Sequence, residues 1–292
     1  MACPPHKILV IRYDEMRWAR IMTLRIGLIG HGAIGQEIGE ALGRLGERAS
    51  LVSVLVRAGR DAGEFKAAHG IGEMMAERPS IVLECAGHAA VADYGPEVLG
   101  AGVDLVLTSI GALADDTVMA SLRSAASRGG GRLLIAPGAV AGLDGLIAAR
   151  LGGLHAVTYT SHKPPIAWRG TAAEAALDPD GPDEQIIFEG SAREAALAYP
   201  KNANVAVTVG LCGLGLDRTR ARLVSSRKVS DPLGVIEAEG AFGRFSFEIF
   251  ARAAPGNPKT SLLTAHSLLQ CARLGVGLPV LALVEGAEAM GS

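Results

Sequence analysis

The sequence has few cysteines and few aromatic residues: four Cys, two Trp, four Tyr and six Phe in 292 residues. Cys3, Cys85, Cys212 and Cys271 are scattered, with no CxxC and no His/Cys cluster at ligand spacing. Neither a disulfide framework nor a zinc site is signalled, and a reducing compartment fits best. Charge of one sign is also missing. The formal net charge is −2, the pI is about 6.4, and like charges never run to five. Nothing here attracts a phosphate backbone or an anionic lipid surface, which argues against nucleic-acid and membrane partners. The longest uncharged stretch, Asn202 to Leu216, contains three glycines and is too short to cross a bilayer. A soluble, cytoplasmic protein acting on a small molecule is the expectation. What the chain does have is 49% hydrophobic and 20% charged residues, the balance of a packed globular protein long enough for two domains.

Residues 1–22 read as a loosely ordered extension, although Lys7–Arg12 has strand character. The first firm strand, Arg25–Ile29, runs into a glycine-rich turn, after which Ile34, Ile38, Ala41, Leu42 and Leu45 share one helical face and Gly46 marks a stop. Ala49–Val56 reads as a buried parallel strand, completing a βαβ unit. Strand-like runs recur at Ile81–Cys85, Val103–Thr108 and Arg132–Ala136, the rhythm of a doubly wound sheet. Beyond about Leu154 the strands alternate apolar with polar, notably Arg218–Lys228 and Phe245–Ile249, which predicts an antiparallel or mixed sheet. Ser191-Ala-Arg-Glu194 is a capping box, a second helix is expected over Lys201–Leu216, and Asn257-Pro258 is expected to open the last one. Residues 171–185 read as a mobile surface loop. The fold class is therefore α/β: a Rossmann doubly wound parallel sheet over residues 23–140, a second α/β domain with a mixed sheet over 141–256, and a C-terminal helix over 257–292.

Gly30-His31-Gly32-Ala33-Ile34-Gly35 is a GxGxxG between a strand and a helix. Gly30 allows the tight turn, Gly32 lets the backbone approach a pyrophosphate, and Gly35 lets helix and strand pack closely, with the phosphates at the positive end of the helix dipole. A ribose-reading residue belongs just past the second strand, where Arg57 and Arg60 stand and no carboxylate does. Either they pair with the 2′-phosphate of NADP or they are two solvated arginines. Ala86 and Gly87, at the end of a further strand, leave room for a nicotinamide ribose, and His88 beside them is either catalytic or a hydrogen bonder of the loop. His155 and His266 fall within strand and helix patterns and read as structural.

In Gly27–Gly35, Ser109–Asp115, Ala136-Pro-Gly-Ala-Val-Ala-Gly-Leu-Asp144, Lys163-Pro-Pro165, Phe188–Ala192, Tyr199-Pro-Lys-Asn-Ala-Asn-Val205 and Asn257–Ser261 the chain resembles the L-aspartate dehydrogenase family, from about Leu24 to Val284. The resemblance implies NAD(P)-dependent oxidative deamination of L-aspartate, or the reverse amination, a second domain that forms a homodimer contact, and a C-terminal helix that packs back on the first domain and completes it. It implies nicotinamide contacts at Ala136, Gly138, Ala139 and Asn204. Charge matching makes Lys163 and Lys201 the candidates for the two substrate carboxylates. The resemblance also implies a catalytic histidine where this chain has Gly234, and an arginine where it has His162. His162, next to Lys163, is therefore a candidate for proton transfer, for binding a carboxylate, or for holding a loop. The departure leaves open a different small carboxylate as substrate, or a catalytically silent sensor of cofactor redox state.

Overall fold

The structure is a computed structural model that describes residues 23–45, 49–254 and 257–289. The extension with Lys7–Arg12, and Gly46, lie outside the described residues.

The first half alternates strands and helices: β1 (Leu24–Ile29), α1 (Ala33–Leu45), β2 (Ala49–Leu55), β3 (Ala67–Ala68), α2 (Ile71–Ala76), β4 (Ile81–Glu84), α3 (His88–Gly100), β5 (Asp104–Leu107), α4 (Asp116–Gly129) and β6 (Leu133–Ile135). The second half contains α5 (Leu143–Leu151), β7 (Leu154–Lys163), β8 (Glu184–Ser191), α6 (Ala192–Ala198), α7 (Asn204–Cys212), β9 (Arg220–Ser226), β10 (Leu233–Gly240) and β11 (Gly243–Phe250). The chain closes with β12 (Ala253–Ala254), β13 (Asn257–Ser261), α8 (Leu262–Leu274), β14 (Leu278–Pro279) and α9 (Val280–Ala289).

Seven strands form one sheet in the order β14-β6-β5-β4-β1-β2-β3, parallel except for β14, which runs antiparallel to β6. From β1 the chain winds outward through β2 and β3, then returns to lay β4 on the other side of β1. This is a topological switch point, where open α/β sheets bind ligands at the carboxyl ends of their strands. Residues on both faces of the central strands are buried, among them Ile26, Leu28, Val82, Leu83 and Val106, as expected for a parallel sheet covered by helices. The second sheet is mixed, with order β11-β10-β7-β9-β8; β7 and β9 are parallel and the other pairs antiparallel. Between the two sheets lies α7, buried continuously from Ala206 to Cys212, so the apolar core runs from the parallel sheet through α7 to Val157, Tyr159 and Ile236 of the mixed one. α8 returns to the first sheet, where Leu268 and Leu269 join Ile38 and Leu42 of α1 in the second core cluster.

The capping box at Ser191 is formed: its hydroxyl accepts from Glu194 N at 3.2 Å and its own N–H donates to Glu194 at 2.8 Å. Two boundaries differ from expectation. The helix expected over Lys201–Leu216 spans only Asn204–Cys212, because the chain turns at Tyr199–Ala203, whose N–H groups at Asn202 and Ala203 donate to Tyr199 O, and unwinds at Gly213 and Gly215. Asn257-Pro258 does not open a helix but stands in β13, paired with β12; the cap is Ser261, whose hydroxyl accepts from Leu263 N at 3.2 Å. A proline is compatible with a strand edge as well as with a first helical turn. Residues 171–183 do form a largely exposed connection with a single short 3-10 turn at Glu174–Ala176.

Candidate active site

At the switch point the glycine turn behaves as its spacing predicts. Gly30 has φ +101, and a Cβ there would stand 2.9 Å from Ala86 Cα at the end of β4. A Cβ on Gly35 would meet Gly30 O at 2.5 Å, whereas one on Gly32 would meet nothing within 4 Å. The turn thus needs two glycines for its own packing and keeps the third open to a ligand. The N-terminus of α1 follows, so the residues present fit a pyrophosphate. Gly32, Ala33 and Ile34 line a cavity of about 510 Å³ that continues along Ala86, Gly87 and His88, the Ala136–Ala139 turn, and Asn204 to the mixed sheet. His31 points the other way, edge-on to Phe65 and with Nδ1 3.3 Å from Asp61 O.

Beneath the β4 end sits a carboxylate whose role the sequence did not signal. Glu84 is 0% exposed; its Oε1 accepts from Ala86 N, Gly87 N and the Ser109 hydroxyl at 2.7, 2.8 and 2.9 Å, and its Oε2 from Ser109 N at 3.1 Å. It therefore fixes two loops that line the cavity. Burial raises its proton affinity above the usual carboxylate range, against the lowering effect of those donors. The folded chain then keeps a proton that the unfolded chain has released, so stability falls as pH rises from the ordinary carboxylate pKa to the raised folded one. Glu84→Gln should remove this slope from the dependence of Tm on pH. It should also cost roughly 1–3 kcal/mol of unfolding free energy, because one amide face opposes the N–H donors. A mutant with the wild-type Tm at every pH would contradict both.

His88 and Asn204 are brought together. Asn204 Oδ1 accepts from Gly111 N at 2.9 Å and lies 3.2 Å from His88 Nε2, which donates to it. This is the hydrogen-bonding reading of His88, realised across the two sheets rather than within its loop. The Ala136–Ala139 turn is held from the C-terminal side, where Gly138 N donates to Ser267 of α8 at 2.9 Å. His266 beside it bonds Glu37 of α1 at 2.9 Å, and His155 is exposed.

The far wall of the cavity is β7 and β10. Strand alternation places Tyr159, Ser161 and Lys163 on the cavity face. Lys163 is 8% exposed, with Nζ 3.5 Å from Asn202 O, while Lys201 stands exposed at the rim. Gly234, opposite Ser161 in the register, faces the same space and has an ordinary φ. His162 is not brought to the cavity. As the neighbour of Lys163 on a strand it projects from the opposite face, with Nδ1 3.2 Å from Glu184 Oε1; although this nitrogen is buried, the contact lacks hydrogen-bond geometry. Its place as a proton-transfer candidate is therefore corrected by the period of two. The same period, applied backwards from Lys163, finds Ser161 and Tyr159, which sequence reasoning missed. Arg57 and Arg60 are exposed past β2, outside the cavity lining. The nearby Asp61 carboxylate accepts from Gly63 N at 3.0 Å within its own turn. Among the described residues no group of His, Cys, Asp and Glu could hold a metal ion, and no helix is long and apolar enough to cross a membrane.

Switch point, glycine cradle and cavity belong to the nicotinamide-dinucleotide-dependent dehydrogenases, and comparison with known proteins agrees. Residues 30–136 match the family described as homoserine dehydrogenase, NAD binding domain, and residues 144–274 the family described as aspartate dehydrogenase, C-terminal. The chain is 45% identical to L-aspartate dehydrogenase of Ruegeria pomeroyi over 88% of its own length and 94% of the relative's. It is 42% identical to that of Serratia proteamaculans over 85% and 96%. The crystal structure of aspartate dehydrogenase from Thermotoga maritima superposes with a TM-score of 0.68 at 25% identity, covering 86% of this chain and 96% of that one. The chain belongs to the L-aspartate dehydrogenase family.

Proposed function

We propose that this chain oxidatively deaminates L-aspartate to iminosuccinate, which hydrolyses to oxaloacetate and ammonia, with NADP or NAD as cofactor, and that it also runs the reverse amination. The observation that carries the reading is a single cavity with an open glycine turn at one end and the buried cation of Lys163 at the other. Gly32, Ala33 and Ile34 at the glycine turn would hold the dinucleotide, which would supply the acceptor for the hydrogen and electron pair lost from the substrate's α-carbon. Lys163 holds one carboxylate where low dielectric strengthens the pairing, and Lys201 at the rim holds the second. Asn204, braced by His88 and Gly111, borders the nicotinamide end together with Ala136, Gly138 and Ala139. The test is steady-state turnover with aspartate and either dinucleotide, reading reduced nicotinamide and oxaloacetate together. Tight binding of NADPH or NADH without aspartate turnover would sink the reading.

The 2′-phosphate of NADP is assigned to Arg57 and Arg60, since the adjacent Asp61 carboxylate is engaged in its own turn. Replacing both by alanine should lower kcat/KM for NADP about tenfold relative to NAD, the size of one partly screened charge-assisted hydrogen bond. An unchanged cofactor ratio would refute the assignment.

The working form is a homodimer in the cytoplasm, where the unpaired Cys85, Cys212 and Cys271 suit reducing conditions. Support for the dimer comes from Phe250 and Ile186, the exposed apolar ends of one register line that crosses the mixed sheet through Leu233, His162 and Val224. Phe250 is 76% and Ile186 60% exposed in the single chain, and apolar residues in such a row mark an interaction surface. Phe250→Asp should shift sedimentation from dimer to monomer; a wild-type monomer would exclude this arrangement.

A further inference from the structure

The cavity wall opposite the glycine turn holds a phenol to which the reading above gives no task. Tyr159 is 5% exposed and lines the cavity. Across from it β10 presents Gly234, which has no side chain. The Tyr159 hydroxyl stands 3.3 Å from where a Cβ on Gly234 would be, and the ring edge at Cε2 is equally close. The phenol therefore occupies the space that a side chain at position 234 would otherwise fill. Ser161 stands two residues along the same face, where its hydroxyl acts to lower the phenol's pKa against the effect of burial. The cavity's other titratable side chains are already engaged: His88 donates to Asn204, the Cys85 thiol faces the Ile29 and Gly30 carbonyls, and Lys163 and Lys201 are assigned to the carboxylates.

We propose that Tyr159 is a catalytic residue of this enzyme, the proton donor to the substrate's nitrogen as ammonia leaves. The proposal rests on the aspartate deamination reading. The imine left by oxidation takes up water to give a carbinolamine, HO–C–NH2. Its collapse breaks the C–N bond with the electron pair going to nitrogen; Tyr159 gives nitrogen its proton and takes the proton of the carbinolamine hydroxyl as the C=O bond forms. Ammonia and the keto acid are released, the phenol is regenerated, and no further reactant is consumed. In the amination direction the same exchange runs backwards. Burial suits the group to this role, because it pushes the phenol's pKa up to about 12. Tyr159 thus reaches the carbinolamine with its proton on, ready to donate to nitrogen as it accepts the hydroxyl proton.

The experiment is steady-state kinetics of Tyr159→Phe in both directions, with NADH affinity measured by fluorescence titration. Phenylalanine keeps the ring and removes only the oxygen. The expected result is a fall in kcat of about a hundredfold or more, the usual weight of a positioned general acid, with NADH affinity unchanged. An unchanged kcat with raised KM would overturn the proposal, since the phenol would then only bind substrate. Gly234→Ala serves as the second variant, because its methyl group presses on the phenol at 3.3 Å. It should lower kcat in the wild-type background and lower it much less in the Tyr159→Phe background, where the oxygen is gone and only the ring edge at Cε2 still meets the methyl group, so the two losses are less than additive. Additive losses would overturn the proposal. If Tyr159→Phe does not fold, Gly234→Ala alone decides: reduced kcat with intact NADH binding supports the role, and unchanged kcat overturns it. Failure of the wild type to turn over aspartate would instead overturn the function proposed above, and this step with it. Wild-type turnover matched by Tyr159→Phe overturns this step alone.

Discussion

Lys163→Met is expected to raise KM for aspartate by a hundredfold or more while leaving the affinity for NADH as it was. Lys163 is 8% exposed, and the substitution keeps an unbranched chain of similar length on the cavity face of β7 while removing only the ammonium. A substrate carboxylate brought into that site would meet no cation. Truncating one partner of a buried charge pair costs about 2–5 kcal/mol, mostly through the charge left behind, and 1.4 kcal/mol is tenfold. Since the glycine turn lies at the other end of the cavity, cofactor binding supplies an internal control. A mutant with unaltered KM would remove Lys163 from the substrate site; loss of NADH affinity along with it would mean that the substitution disturbs the fold.

The second large effect is expected at Gly35. Valine there places Cβ 2.5 Å from Gly30 O and close to Leu28 Cδ2 at 3.3 Å. Neither can yield cheaply, because the first is backbone and the second is fully buried in the central strand. α1 would have to move away from β1, carrying the N-terminus of the helix away from the turn. Overpacking of this kind costs about 1–3 kcal/mol or more. Dinucleotide affinity should fall at least tenfold together with Tm. Gly32→Ala is the contrast: its Cβ meets no protein atom within 4 Å, so Tm should hold while affinity falls, the methyl group occupying space meant for the ligand. Equal Tm values for all three proteins would show that the turn is not packed as described.

Which parts of this were readable in the sequence follows from the range of the interactions. The βαβ unit and its glycine turn are local, set by residues within one strand and helix of each other, and the spacing of Gly30, Gly32 and Gly35 gives each its own steric task. The capping box at Ser191 is equally local and formed as read. The failures are of another kind. Asn257-Pro258 carries a helix-start signal, but a short hairpin with Ala253 and Ala254 competes for the same residues and takes them into a strand. His162 looked chemical because of its neighbour, yet adjacent residues on a strand face opposite ways, and the structure gives the cavity to Tyr159, Ser161 and Lys163. The alternation was available in the sequence; which face would be closed by α7 was not. Glu84 has no sequence signal at all. Its four donors come from its own loop and from Ser109, and only strand order brings β4 and β5 side by side.

The antiparallel edge strand has a consequence for how the molecule is made. β14 pairs with Leu134 and Ile135 of β6, yet it is synthesised only after the whole mixed sheet, and the Ala136–Ala139 turn likewise waits for Ser267. A ribosome therefore releases an almost complete nucleotide-binding sheet whose last edge stays unprotected while the second half of the chain emerges. Unpaired edges recruit other chains, and contacts of long sequence separation form late. The nascent protein should be most prone to aggregation in that interval. Halting translation between β11 and α8 would lengthen it, and supplying the C-terminal segment in trans would relieve it only if that segment docks unaided.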